Sequence, residues 1–276
     1  MTSPFESKRI GFIGCGAMAR ALAGGLASSG LPADQMMGAD VAPEQREGFE
    51  AALGIRTVDD NGTLLAQCDA LVLCVKPGVV VSVLEGLDKS ADLQRPLWIS
   101  IAAGIRIGTL EAALPPGARI IRTMPNTPAL VGAGASVLCP NHAALEADQA
   151  LAEALFAAVG TTWLAPNESL MDAVTGLSGS GPAYLFLFLE ALGEAGIQQG
   201  LPPEAAQALA IQTVFGAAKL ALEDDRSPAQ LREQVSSPGG TTLAGLAQLG
   251  EADLRGALSK AVEAATARSR ELSGPA

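Results

Sequence analysis

The hexapeptide Gly14-Cys15-Gly16-Ala17-Met18-Ala19 follows the short apolar run KRIGFI and opens a stretch with helical spacing. Glycines at its first and third positions allow a tight turn and let an anion approach the backbone. The small residue at Ala19 packs helix on strand, and the start of a helix attracts negative charge. The chemistry of such a strand-turn-helix unit is a pyrophosphate cradle, so dinucleotide binding is expected at Ile13, Gly14, Cys15, Gly16, Ala17 and Met18. The competing reading is a glycine turn that serves packing alone. Cys15 itself is either a reactive thiol or a small filler near the phosphates, and the filler is expected.

Asp40 closes the next apolar run, MMGAD. An acidic side chain there accepts hydrogen bonds from adenosine ribose hydroxyls and repels a 2′-phosphate. Asp is also a common turn residue after a strand, and Arg46 lies within reach of a phosphate, so NADH and NADPH both stay open. Val75-Lys76-Pro77 ends a later strand at the edge where open α/β sheets bind ligands. Lys76 is read either as a ribose or phosphate contact or as a solvated lysine. Ser100 to Gly104, including Ala102 and Ala103, and Met124 to Pro128 end further strands in small or turn-forming residues suited to a nicotinamide pocket. His142, the only histidine, sits in CPNHAALEAD with no Ser, Cys or carboxylate arrangement beside it, so it reads as a solvated turn residue and a Ser-His-Asp hydrolase is excluded. No His, Cys and carboxylate set has metal-ligand spacing, so no metal is expected.

These residues need elements to position them. Strand-like runs at KRIGFI, MMGAD, DALVLCVKP, PLWISIA, ARIIRTMP and ASVLC alternate with helical or turn segments, which predicts a parallel, doubly wound α/β sheet. Beyond Asn167 the pattern turns wholly helical, with Pro202, Pro203 and Pro228 in starting positions. The expected organisation is a dinucleotide-binding domain over residues 1–166 and a helical substrate and dimerisation domain over 167–276. The helix from Pro182 to Gln199 is apolar almost all round in its first half, which predicts burial against another subunit.

The 276 residues bury enough surface to fold without staples, and the four cysteines, without CxxC spacing, read as reduced cytosolic thiols. The N-terminus lacks a secretory apolar core, and no run reaches the roughly 18 uncharged apolar residues of a bilayer span. A net charge of −11 disfavours nucleic acid and anionic lipid as partners. The chain is expected to be soluble and cytoplasmic.

Taken in order, Gly14 to Ala19, VKPG, RTMPNTPALVGAG, TGLSGSGPAY and QVSSPGGTTLAGL make the sequence resemble the pyrroline-5-carboxylate reductase family, from about Ile10 to Leu272. The most specific element is SSPGGTTLAGL at positions 236–246, which alone reads as a turn before a helix cap. The resemblance implies a Rossmann domain, an intertwined helical dimer domain, often a ring of dimers making a decamer, and NADPH or NADH reducing a cyclic imino acid to L-proline. It implies cofactor contacts at the glycine loop, Asp40, Asn61, Val75, Lys76, Pro77, Ala102 and Ala103. It implies substrate contacts at Glu168, Val235, Ser237, Gly240, Thr241 and Thr242. With such a substrate, the glycine bend and the following helix start become a neutral cradle for a carboxylate, and Thr242 becomes the hydroxyl that meets the imine nitrogen. Two departures stand out: Ala17 replaces an Asn common in bacterial members, and Asp40 stands where some NADPH-using members carry Ser. A β-hydroxyacid dehydrogenase is disfavoured because Leu185, not lysine, follows the GSGPAY motif. A cofactor sensor without turnover has no use for a carboxylate cradle.

Overall fold

Each short apolar run becomes a strand because both of its faces are covered. In the computed structural model, which describes residues 4–274, eight strands form one sheet: β1 Ile10–Ile13, β2 Met36–Ala39, β3 Thr57–Val58, β4 Ala70–Leu73, β5 Leu97–Ser100, β6 Arg119–Met124, β7 Gly134–Pro140 and β8 Gly160–Leu164. Their spatial order is β3-β2-β1-β4-β5-β6-β7-β8. The helices are α1 Ala17–Ser28, α2 Pro43–Leu53, α3 Asn61–Gln67, α4 Pro77–Glu85, α5 Ile107–Ala113, α6 Glu146–Ala157, α7 Met171–Val174, α8 Gly181–Gln198, α9 Pro203–Glu223, α10 Pro228–Gln234, α11 Thr241–Glu251 and α12 Leu254–Ser273.

Strand alternation sorts the core into two layers. Ile10, Phe12, Val72 and Ile99 pack with Leu22 and Leu26 of α1, Phe49 of α2, and Leu155 and Phe156 of α6. On the other face Ile13, Leu71, Leu73, Trp98 and Ile120 pack with Leu64 of α3, Val80 and Leu84 of α4, and Leu110 of α5. The buried Trp98 indole donates to the Leu93 carbonyl at 2.9 Å, so its one polar atom is satisfied.

The sheet departs from the expected all-parallel form at one edge. Strands β1 to β6 pair in parallel, whereas β7 runs antiparallel to β6 and β8 follows β7 in parallel. The reason is the β6–β7 connection: residues 125–133 hold only the 3-10 turn Thr127–Val131, and a parallel return needs a crossover of about a dozen residues or more.

The chain divides into two compact units, Met1–Ser180 with Ala264–Ala276, and Gly181–Glu263. Within the first, Ser269 of α12 donates to the buried Asp172 carboxylate at 2.7 Å. The second is entirely helical, and its prolines act as expected: Pro203 and Pro228 occupy first-turn positions of α9 and α10. Helices α8 and α9 approach closely through small residues, and a Cβ built on Gly196 would meet the Ala206 Cβ at 3.2 Å. Their remaining apolar side chains stay open, with Phe186 and Phe215 each about three-fifths exposed. By length and composition α9 is apolar enough to cross a bilayer, the one such helix among the described residues. Its apolar stretch is interrupted by the polar Gln207 and Gln212 and the charged Lys219, so it holds no run of 18 uncharged apolar residues.

Candidate active site

The turn after β1 is built on Gly14, whose φ of +97° favours glycine. A Cβ there would lie 3.0 Å from the Cys74 carbonyl carbon and oxygen and from Val75 Cγ1. The glycine loop therefore sits against the C-terminal end of β4, where the strand order reverses between β1 and β4, the usual ligand crevice of open α/β sheets. Gly16 is the N-cap of α1, makes no side-chain cap, and has open space where a Cβ would be. The first N–H groups of α1 thus face outward without a capping side chain, as a pyrophosphate requires. Gly14, Gly16, the half-buried Met18 and the exposed Ala17 fit a dinucleotide. Ile13 and Cys15 turn their side chains into the core and offer only backbone.

Cys15 is no reactive thiol. Its side chain is fully buried beneath β2, where a Cβ on Gly38 would come within 2.7 Å of the sulfur. Burial, helped by the nearby Asp40 carboxylate, pushes the thiol up to about 12. The Cys15 N–H donates to Asp40 Oδ2 at 2.8 Å, so β1 and β2 are joined across the loop.

The remaining cofactor candidates line the same sheet edge. Val75 touches the Gly14 turn; the exposed Lys76 is the N-cap of α4 and Pro77 its first residue. Asn61 opens α3 behind the Asp60 cap, which accepts from the N–H groups of Gly62 at 2.9 Å and Thr63 at 2.8 Å. Ala102 is buried beyond β5, and Ala103 is exposed. At the end of β6 the Asn126 side chain accepts from the Ala135 N–H at 2.9 Å and donates to the Ser178 carbonyl at 3.1 Å. It thereby ties the MPNTP loop to a π-helical turn, Thr175–Gly179, a feature frequent at functional sites.

Glu168 stands in the first unit with partners that sequence reading missed. Its Oε1 accepts from Arg122 Nη1 at 2.7 Å and from the Ile107 N–H at the start of α5, also at 2.7 Å. Arg122 is only 4% exposed, whereas the Glu168 side chain keeps 28%. The one available signal was an arginine inside the apolar run ARIIRTMP. Glu168→Ala is expected to destabilise the fold by about 2–4 kcal/mol, because it strands a buried guanidinium. Glu168→Gln, which retains an acceptor, recovers part of that loss. Urea denaturation measures both, and a Glu168→Ala protein of unchanged stability contradicts this role.

The second unit holds the other candidates. Ser237-Pro238-Gly239-Gly240 is a turn with the Gly240 N–H on the Ser237 carbonyl at 3.0 Å and Gly239 at φ +70°. Pro then Gly at the two central positions is the type II signature. A Cβ on Gly240 would lie 2.5 Å from Ser237 Oγ, which would have to rotate away, and 3.1 Å from the Ser237 carbonyl oxygen. Gly240 is the N-cap of α11 without a side-chain cap, and no acidic residue occupies the first turn. The N–H groups of Thr241, Thr242 and Leu243 therefore start the helix unclaimed by side chains, a neutral anion site. Ser237 and Thr241 are exposed, Thr242 is half-buried, and Val235 is 62% exposed beside the turn.

Both halves have counterparts among known proteins. Residues 168–272 match the family described as pyrroline-5-carboxylate reductase dimerisation, and residues 9–104 match NADP oxidoreductase, coenzyme F420-dependent. The pyrroline-5-carboxylate reductase of Methanosarcina acetivorans is 44% identical, covering 97% of this chain and 98% of its own. That of Pisum sativum is also 44% identical, over 97% of both. Among solved structures, a pyrroline-5-carboxylate reductase from Coxiella burnetii superposes with a TM-score of 0.93 at 39% identity, covering 98% of this chain and all of that one. The Plasmodium falciparum pyrroline carboxylate reductase with NADP bound gives 0.85 at 32%, covering 98% and 99%. With the glycine loop and the SSPGGTT bend in place and the likeness running from end to end, the chain belongs to the pyrroline-5-carboxylate reductase family.

Proposed function

We propose that the protein reduces 1-pyrroline-5-carboxylate to L-proline with NADPH or NADH, the last step of proline biosynthesis. The observation that carries this reading is the uncapped start of α11 behind the Ser237–Gly240 turn, in a chain alike along its length to named reductases. Residues 1–166 act as the dinucleotide domain and residues 167–276 as the substrate and dimerisation domain, a division supported by the family match over 168–272.

When bound, the reduced nicotinamide supplies the hydride that the C=N carbon takes up. The glycine loop and the start of α1 hold the pyrophosphate, with Asp40, Asn61, Val75, Lys76, Pro77, Ala102 and Ala103 along the strand ends. The N–H groups of Thr241, Thr242 and Leu243 grip the substrate carboxylate, with Ser237, Gly240 and Val235 beside them. The Thr242 hydroxyl hydrogen-bonds the ring nitrogen, orients the C=N bond and holds the proton there. An imine nitrogen is basic enough to arrive protonated, so a strong acid such as His or Lys is not needed. The chain's single histidine, His142, lies in the β7–α6 connection of the first unit, far in sequence from the α11 start.

The exposed apolar faces of α8 and α9 belong to a homodimer, and five dimers form a decamer. This occupancy of α9 supports a soluble, cytoplasmic enzyme without membrane or nucleic-acid partners. A sedimentation mass of ten chains supports the assembly, and a monomer contradicts it. The activity is tested by mixing purified protein with racemic pyrroline-5-carboxylate and NADH or NADPH. Loss of nicotinamide absorbance with formation of proline is expected, and cofactor binding without turnover would leave a sensor instead.

A further inference from the structure

The carboxylate at the end of β2 is locked from two sides. Asp40 Oδ2 accepts from the Cys15 N–H at 2.8 Å and Oδ1 from the Ala42 N–H at 2.9 Å. Both are charge-assisted bonds, stronger than neutral ones. The Asp40 N–H is also engaged, on the Val58 carbonyl at 3.2 Å. The side chain cannot turn away from the glycine loop without giving up both carboxylate bonds.

An ionised carboxylate has about four acceptor positions and no donor. Two are filled by the backbone, which leaves acceptor capacity for a pair of neighbouring hydroxyls and nothing to offer a second anion. Two cations lie nearby, each making one hydrogen bond. Arg46 Nη1 donates to the Asp40 backbone carbonyl at 2.6 Å, and Arg20 Nη2 donates to Gln45 Oε1 at 2.5 Å. Beside the carboxylate, Val41 is 88% exposed and presents an apolar surface rather than a third cation.

We propose that Asp40 makes this protein select NADH over NADPH, by accepting from the ribose diol and excluding a 2′-phosphate from the loop. The inference rests on the dinucleotide reading above and narrows it. Arg46 and Arg20 are the groups that favour the phosphate. A 2′-phosphate on the diol positions meets a carboxylate that cannot withdraw, whereas each arginine is tied by a hydrogen bond elsewhere, Arg46 to the Asp40 carbonyl and Arg20 to Gln45.

Calorimetric titration of the full-length protein with NADH and with NADPH tests this without turnover. NADH is expected to bind on the order of 100-fold more tightly. Equal affinities, or tighter NADPH, overturn the proposal while leaving the dinucleotide reading intact; failure of both ligands to bind overturns both. In Asp40→Ser, checked for folding by circular dichroism, the affinity ratio is expected to fall to about threefold or less, mainly through better NADPH binding. A folded Asp40→Ser protein with the wild-type ratio overturns the assignment to Asp40. If that variant does not fold, the wild-type comparison still decides the selectivity, and Arg46→Ala, which keeps the carboxylate, is expected to preserve or widen the ratio. An Arg46→Ala protein that loses the preference for NADH contradicts the assignment to Asp40.

Discussion

Thr242→Ala is expected to lower kcat on the order of 100-fold, with a smaller change in KM, because it deletes a hydroxyl engaged with the nitrogen as its charge changes. The local structure makes this a clean substitution. Thr242 lies in the first turn of α11, which begins at Thr241 under a glycine N-cap, and its side chain caps nothing. The helix and the glycine bend therefore survive the change. Thr242→Ser, which keeps the hydroxyl, is expected to retain most of the turnover. Steady-state kinetics over a range of pyrroline-5-carboxylate concentrations separates the outcomes. A Thr242→Ala enzyme with wild-type kcat shows that the hydroxyl plays no part.

The second large effect separates two glycines of one loop. Gly14→Ala combines a φ of +97° with contacts at 3.0 Å to the Cys74 backbone, which cannot yield as a flexible side chain would. It is expected to destabilise the protein by about 2–4 kcal/mol and to weaken dinucleotide binding as the turn shifts. Gly16→Ala differs, because Gly16 has φ −72° and its added methyl meets nothing within 4 Å. Its stability is expected to stay near wild type, while the methyl occupies the space a pyrophosphate needs and weakens binding by more than about tenfold. Urea denaturation alongside calorimetry distinguishes the two. A Gly16→Ala protein that binds the dinucleotide normally contradicts the placement of the phosphates.

Much of the sheet was legible because burial on both faces writes a continuous apolar run. KRIGFI, DALVLCVKP and PLWISIA gave β1, β4 and β5, whose residues are all buried. Strand β8 was missed because GTTWL is part-exposed along its length and carries no such run. The reversal of β7 was also hidden, since a strand's direction depends on how its connection crosses and not on its own residues. Helix starts in the second unit were readable from proline positions, which act through local backbone geometry alone.

The site followed the same division. Loop glycines and the SSPGGTT bend were visible because their chemistry is local. Partnerships across long separations were not. Arg122 and Glu168 are 46 residues apart in the chain, and Ser269 and Asp172 are 97 apart. No spacing rule connects such pairs. Asp40 was readable as a ribose contact or a turn residue, but the engagement of its carboxylate by the Cys15 and Ala42 N–H groups required the fold.

The central claim is that backbone N–H groups at the start of α11 anchor the substrate carboxylate so that Thr242 meets the ring nitrogen. A crystal structure of the protein with bound L-proline tests it most directly. The account predicts the proline carboxylate on the N–H groups of Thr241 to Leu243, with its nitrogen within hydrogen-bonding distance of the Thr242 hydroxyl. L-Proline bound elsewhere, with the α11 start bare, would contradict it.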